Sequence, residues 1–124
     1  SSNATLSKWL PGNAELPKLM AAGEAEKTSG RVRVAYQIAE AAGQPCARSF
    51  EEAFVYANAA WLLANKDKLL ATGDTFTHAD AAALTADAYA ISLPKVDFAL
   101  DLLANSGWAT PKYIREGLEW LAKQ

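Results

Sequence analysis

Apolar and polar positions along the chain recur at helical spacing, and one stretch is apolar on almost every side. From Ala53 to Ala64 it reads AFVYANAAWLLA, in which Asn58 is the only clearly polar side chain. A helix of that composition has no solvent face and must be surrounded by other elements. Ser49 followed by Glu52 is the capping-box spacing that opens such a helix, and Gly73 can supply the left-handed residue that closes it. Acids at Glu51 and Glu52 and bases at Lys66 and Lys68 stand in the order a helix dipole favours. The pattern predicts a central helix over about residues 50–72. At about 1.5 Å per residue the apolar run reaches only about 18 Å, too short for roughly 30 Å of hydrocarbon.

Further helices are expected on both sides. Thr5 can cap a short turn through Leu6, Trp9 and Leu10, and Asn13 can cap a helix with Leu16, Leu19 and Met20 on one face. A break is expected near Gly23 or at Thr28-Ser29-Gly30. The next residues, RVRVAYQI, alternate briefly as a strand would, yet Val34, Ile38 and Ala41 recur by three and four and Gly43 offers a C-cap. No other stretch alternates convincingly enough to partner a strand, so a helix is predicted from Arg31 to Ala42.

Thr77 with Asp80 opens a helix over His78 to about Ile91, with Ala81, Leu84, Ala88 and Ile91 inward. Ser92 caps the next, whose buried face is expected to be Val96, Leu100 and Leu103. Thr110-Pro111 starts the last, with Tyr113 or Ile114, Leu118 and Leu121 inward. The expectation is an all-α bundle of five or six helices forming a single domain over residues 5–124. Ser1 to Ala4 resembles the scar left when an affinity tag is cleaved off and is set aside.

Composition narrows the function classes. At 124 residues, 51% apolar and 21% charged, the chain suits an ordinary globular core, and a net charge of −2 gives no overall field to attract nucleic acid or anionic lipid. One cysteine and one histidine exclude an internal disulfide and a Cys/His zinc site within the chain. No phosphate loop or metal-ligand spacing stands out, so no cofactor is expected. The first residues lack the pattern of a signal peptide, which makes the cytoplasm the default location.

Few residues invite chemistry. His78 has Asp74, Thr77 and Asp80 nearby, but helix starts gather polar groups to satisfy free amides, and no nucleophile accompanies it. Cys46 beside Pro45 has no second cysteine and is expected to be inert. Asn58 is sharper, because a mid-helix amide in an apolar segment must find partners. Those partners are expected to be the end of a neighbouring helix, or else a cavity with Tyr56 and Tyr89 as companions. Trp9, Trp108 and Trp120 lie near element ends, where an aromatic either seals the core or anchors a partner. With Asp97 and Asp101 they make up the expected interaction surface.

The opening Thr77 and Asp80, Ala83 before Thr85, then Ser92, Val96, Leu100, Leu103 and Gly107 are spaced as in a helix-turn-helix. Residues 77–108 therefore resemble the helix-turn-helix half of winged-helix DNA-binding domains. The resemblance implies a recognition helix around Val96 to Leu103. Between Asp74 and Thr110, however, Asp74, Asp80, Asp87, Asp97 and Asp101 face Lys95 alone, a balance that repels phosphate. Arg31, Arg33, Arg48, Lys66 and Lys68 lie elsewhere and are expected on solvated faces. The leading expectation is a non-catalytic protein that binds another protein as regulator, inhibitor or accessory subunit. A DNA-binding regulator and a bundle that binds a small ligand are the alternatives.

Overall fold

The computed structural model describes residues 16–71 and 76–124. The fold is all-α, with about five helices. The elements are α1 (Leu16–Ala21), the single turn α2 (Glu24–Lys27), β1 (Thr28–Ser29), β2 (Val32–Arg33), α3 (Phe50–Asn65), α4 (Ala81–Ala86), α5 (Lys95–Ala104) and α6 (Lys112–Ala122). Single 3₁₀ turns succeed α3 at Lys66–Lys68 and α4 at Ala88–Ala90. The chain divides into two compact units, one taking the chain up to Ile38 together with Tyr113–Gln124, the other Ala39–Lys112. Asn13, Trp9 and Gly73 lie outside the described residues.

In the second unit α3 is the helix on which the core is built. Ser49 caps it by accepting the Glu52 N–H at 3.2 Å, and Phe54, Val55, Ala59 and Leu62 are buried along it. Leu84 and Ala88, Leu93 and Phe98 join them from the other elements of this unit. The open edge of α3 is made of small residues, Ala60 and Ala64 being exposed. Aromatic edges interlock: Phe54 meets Phe98 at 5.1 Å between centroids and 83°, and Phe50 meets Phe98 at 6.1 Å.

Asn58 interrupts this helix. Its backbone leaves helical geometry (φ −134°, ψ 22°), and its side chain replaces the local pattern of hydrogen bonds. Asn58 Nδ2 donates to the Phe54 carbonyl at 3.2 Å and to the Ala109 carbonyl at 2.8 Å, while the Ala109 N–H donates to Asn58 Oδ1 at 2.6 Å. The amide thus pairs both ways with a backbone 51 residues on, and its partners are protein atoms. One turn later Trp61 Nε1 donates to the Ser106 carbonyl at 3.0 Å, so two residues of α3 hold the segment beyond α5. Gly107 lies under that indole at φ +88°, a left-handed conformation that L side chains rarely adopt.

Helix α3 ends at Asn65, short of the expected residue 72. Asn65 Nδ2 donates to the Trp61 carbonyl at 2.8 Å, competing with the main chain for the acceptor, and the next turn tightens to 3₁₀. Downstream, the amides of Leu70 and Ala71 donate instead to the two oxygens of Asp101, each at 2.8 Å.

That carboxylate also sets the rotation of α5. Phe98 and Asp101 face inward, and Val96, Leu100 and Leu103, expected to be buried, are 72%, 50% and 84% exposed. With the partly buried Leu102 added to Phe98 and Asp101, both sets show spacings of three and four, so periodicity alone does not choose between them; the aromatic contacts of Phe98 and the two amides at Asp101 do. Helix α4 starts at Asp80, whose Oδ1 accepts the Ala83 N–H at 2.8 Å, three residues later than the Thr77 start expected.

In the first unit the helix expected over residues 31–42 is absent. Val32–Arg33 pairs antiparallel with Thr28–Ser29, and Gly30, at φ +58°, occupies the first of two turn positions, where primed hairpin turns need positive φ. The partner strand has only two residues, too few to show alternation in sequence. Helix α6 buries none of its residues fully; Leu118 and Leu121, expected inward, are exposed.

Replacing Asn58 by Ala leaves the Ala109 N–H and C=O without their partner. We expect a loss of about 1–3 kcal/mol in unfolding free energy, measured by urea titration, and a loss below about 0.5 kcal/mol, the scatter of neutral surface changes, would contradict the clamp.

Candidate functional site

The chemically richest concavity of the second unit is a cleft of about 440 Å³ lined by Gln44, Cys46, Arg48, Glu52, Tyr56, Thr85 and Tyr89, among others. Three lining residues come from one helical stripe, since Arg48, Glu52 and Tyr56 are spaced by four across the start of α3. Thr85 and Tyr89 come from α4 and the 3₁₀ turn after it. The connection from Gly43 to Arg48 forms the remaining wall.

Glu52 is the centre of the cleft's polar network. Its Oε2 accepts the Arg48 backbone N–H at 2.9 Å and Arg48 Nε at 3.0 Å, and its Oε1 accepts the Tyr56 hydroxyl at 3.2 Å. Arg48 also donates through Nη2 to the Tyr89 carbonyl, so one guanidinium ties the start of α3 to the 3₁₀ turn. The expected capping box is therefore only half formed: Ser49 holds the Glu52 amide, but Glu52 returns to the amide of Arg48, one residue earlier than the box requires.

Burial pushes the Glu52 carboxyl upward, but the amide and guanidinium of Arg48 and the Tyr56 hydroxyl more than offset it, and the net shift is below the ordinary carboxylate value. Burial, then the Glu52 charge, raise the Tyr56 phenol. The same two causes in the same order raise the Cys46 thiol, which disfavours the thiolate a nucleophile needs. A carboxylate stabilised in its charged form with three donors around it is a weak proton acceptor. The cleft thus brings an ion-paired guanidinium, two tyrosines and a threonine together around a neutralised acid.

Of the residues singled out in sequence, Tyr56 and Tyr89 do meet in this cleft, and Asn58 is not among its lining residues. Asp101 is 3% exposed and belongs to the core, because two backbone amides need its charge; it does not share a surface with the half-buried Asp97. Trp108 packs on Phe54 at 5.7 Å and donates to the carbonyls of Leu102 and Asn105, which makes it a seal on the core. Trp120 lines a groove of the first unit between the hairpin and α6. His78 pairs through Nε2 with Asp87 at 3.0 Å, and Asp80 is occupied as a helix cap. Arg33 is taken by Glu24 through two hydrogen bonds of 3.1 and 2.8 Å, and Arg48 by Glu52, so neither is a free cation.

Sequence reasoning passes over Arg48 as a site residue. Its signal is present: a base four residues before a buried acid, itself four before a tyrosine. The exposed row on α5 is missed as well, and for that no signal in this chain exists. Among the described residues no group of three His, Cys, Asp or Glu side chains could hold a metal, and no helix is long and apolar enough to cross a membrane. Comparison with protein-family models finds no match, and neither the curated proteins nor the solved structures yield a similar chain.

The depressed Glu52 carboxyl gives a signed pH dependence. A group whose folded value lies below its unfolded one contributes stability above the unfolded value and loses it as pH falls through the folded one. The gap in Tm between wild type and Glu52→Gln should therefore be wide at about pH 6 and narrow toward about pH 3 in thermal melts monitored by circular dichroism. A gap that stays constant over that range would show that the charge of Glu52 does not support the fold.

Proposed function

We propose that this all-helical protein works by binding another polypeptide, and that α5 is the contact element. The observation that carries the reading is the row Val96, Leu100 and Leu103 on the solvent side of α5. Positions i, i+4 and i+7 are the anchors by which a helix enters an apolar groove of a partner. Single exposed apolar side chains are ordinary, but three aligned on one helix are the pattern of an interaction face. The opposite side of α5 is pinned by Phe98 and Asp101, so the row is presented on a rigid support, which lowers the ordering cost of binding.

The DNA-binding alternative has less to draw on. The helix in the recognition position offers an apolar row, Asp97 and one base, Lys95, where a groove-reading helix needs several cations. A small ligand in the Arg48–Tyr89 cleft is compatible with the protein-binding reading, since no residue of α5 lines that cleft.

Leu100→Glu and Leu103→Glu test the reading because both side chains are already exposed. Each should change stability by no more than about 0.5 kcal/mol. Crosslinking of the tagged protein in its native host, then mass spectrometry, should recover a protein with contacts mapping to α5 that either variant fails to recover. Crosslinks that are unaffected by both changes, or that map only elsewhere, would reject α5 as the contact.

A further inference from the structure

The first unit holds a second concavity that the polypeptide-binding reading does not use. It is a groove of about 410 Å³ between the hairpin and α6, walled by Val32, Ile114, Leu118, Trp120 and Leu121 with Arg31 at its edge. A volume of that size falls in the range of about 300–1,000 Å³ that small-molecule sites occupy. The floor is shallow in side chains: a Cβ placed on Gly117 would stand 3.1 Å from the Ala35 Cβ, a tight contact that the chain after β2 would have to relieve by a few tenths of an ångström. Glycine in mid-helix costs about 1 kcal/mol relative to alanine, and here it permits that close passage.

Charge gives the groove a direction. Two arginines line it, and they differ. Arg33 is almost fully buried and carries Glu24 at 2.8 Å, with Glu116 at 4.0 Å, so its charge is answered within the protein. Arg31 sits at the exposed hairpin tip and makes no hydrogen bond or ion pair among the described residues. A further hollow shares Arg31 and Leu121 with the groove and has Gln124 in its lining. An apolar trough whose lining holds, among the described residues, one guanidinium not engaged by an acid suits one apolar tail and one planar anion, the shape a guanidinium fork pairs with in two parallel hydrogen bonds.

We propose that this groove binds a single-tailed hydrophobic carboxylate, with the tail along Ile114, Leu118 and Trp120 and the carboxylate on Arg31. Free acid and lipid share this chemistry, and a soluble probe separates them. Isothermal titration of the full chain with octanoate, 1-octanol and acetate should give binding of octanoate, binding of the alcohol weaker by about tenfold, as expected for loss of one charge-assisted contact, and no detectable binding of acetate. Arg31→Gln should bring octanoate down to the affinity of the alcohol and leave the alcohol unchanged. Leu118→Gln and Leu121→Gln change exposed side chains and should weaken both ligands while thermal melts stay at the wild-type value. Equal affinity for octanoate and octanol, or octanoate binding indifferent to Arg31→Gln or to both leucine changes, overturns the proposal, and so does the absence of binding at millimolar octanoate. Binding of anionic vesicles without binding of octanoate would also overturn it, by assigning Arg31 to a membrane surface.

Discussion

The pairing of the Asn58 amide with both backbone groups of Ala109 is the constraint on which the second unit depends. An asparagine side chain has the donor and acceptor of a peptide group, so it can close the two-way exchange that one strand residue makes with another. To do so Asn58 leaves helical geometry, and α3 is bent at that point. The rest of the segment is then determined by geometry. With Ala109 fixed, Ser106 comes within reach of the Trp61 indole, Gly107 must pass beneath the ring, and Trp108 is delivered onto Phe54. A neutral hydrogen bond contributes only about 1 kcal/mol net, but an unpaired buried amide costs more than that. The pair therefore acts chiefly on specificity, since another path for residues 105–109 would strand the buried Asn58 amide.

The other buried polar side chains obey the same logic. Asp101 accepts the amides of Leu70 and Ala71, and Glu52 accepts the amide of Arg48. In all three cases a side chain on a helix satisfies main-chain groups in a segment outside regular structure, where no helix or ladder can do so. The buried polar residues are thus part of the backbone hydrogen-bond accounting. Such groups stand out in sequence as chemical oddities, which is why they attract functional interpretation; their work here is to let short irregular connections run against an apolar core.

How much of this is legible in the sequence depends on whether a feature is local. The start of α3 at Ser49, the break before Pro94 and the burial of Leu84 and Ala88 all rest on neighbours within a turn or two, and all are readable. The protein partners of Asn58 are readable too, because an amide in an apolar helix has few alternatives. The rotation of α5 is not. Val96, Leu100, Leu103 and the set Phe98, Asp101, Leu102 are both helical faces, and the choice is made by a segment some thirty positions away that needs a carboxylate. The hairpin escapes for a related reason: its partner strand is two residues long, and its register is supplied by Gly30 more than by alternation. Within the cleft, Tyr56 and Tyr89 can be named together from the sequence, whereas the arginine that joins their elements hides behind its ordinary appearance as a surface base.

Helix α5 carries the consequence furthest. A helix with apolar residues on both sides can bury one side fully only if the chain covers it, and the inward side is committed by aromatic contacts and a charged hydrogen-bond pair that would be costly to break. Leaving Val96, Leu100 and Leu103 in water forgoes part of the roughly 1.5–3 kcal/mol that burying each side chain brings. Turning α5 to recover that would expose Phe98 and remove the carboxylate from two amides, a loss of similar size for the ring and a further desolvation cost for the unpaired amides. The aromatic contacts of Phe98 and the two amides held by Asp101 keep the row outward. The apolar area left on α5 is therefore a fixed consequence of how the core solves its polar burial, and the proposal of a polypeptide contact there rests on that exposed row.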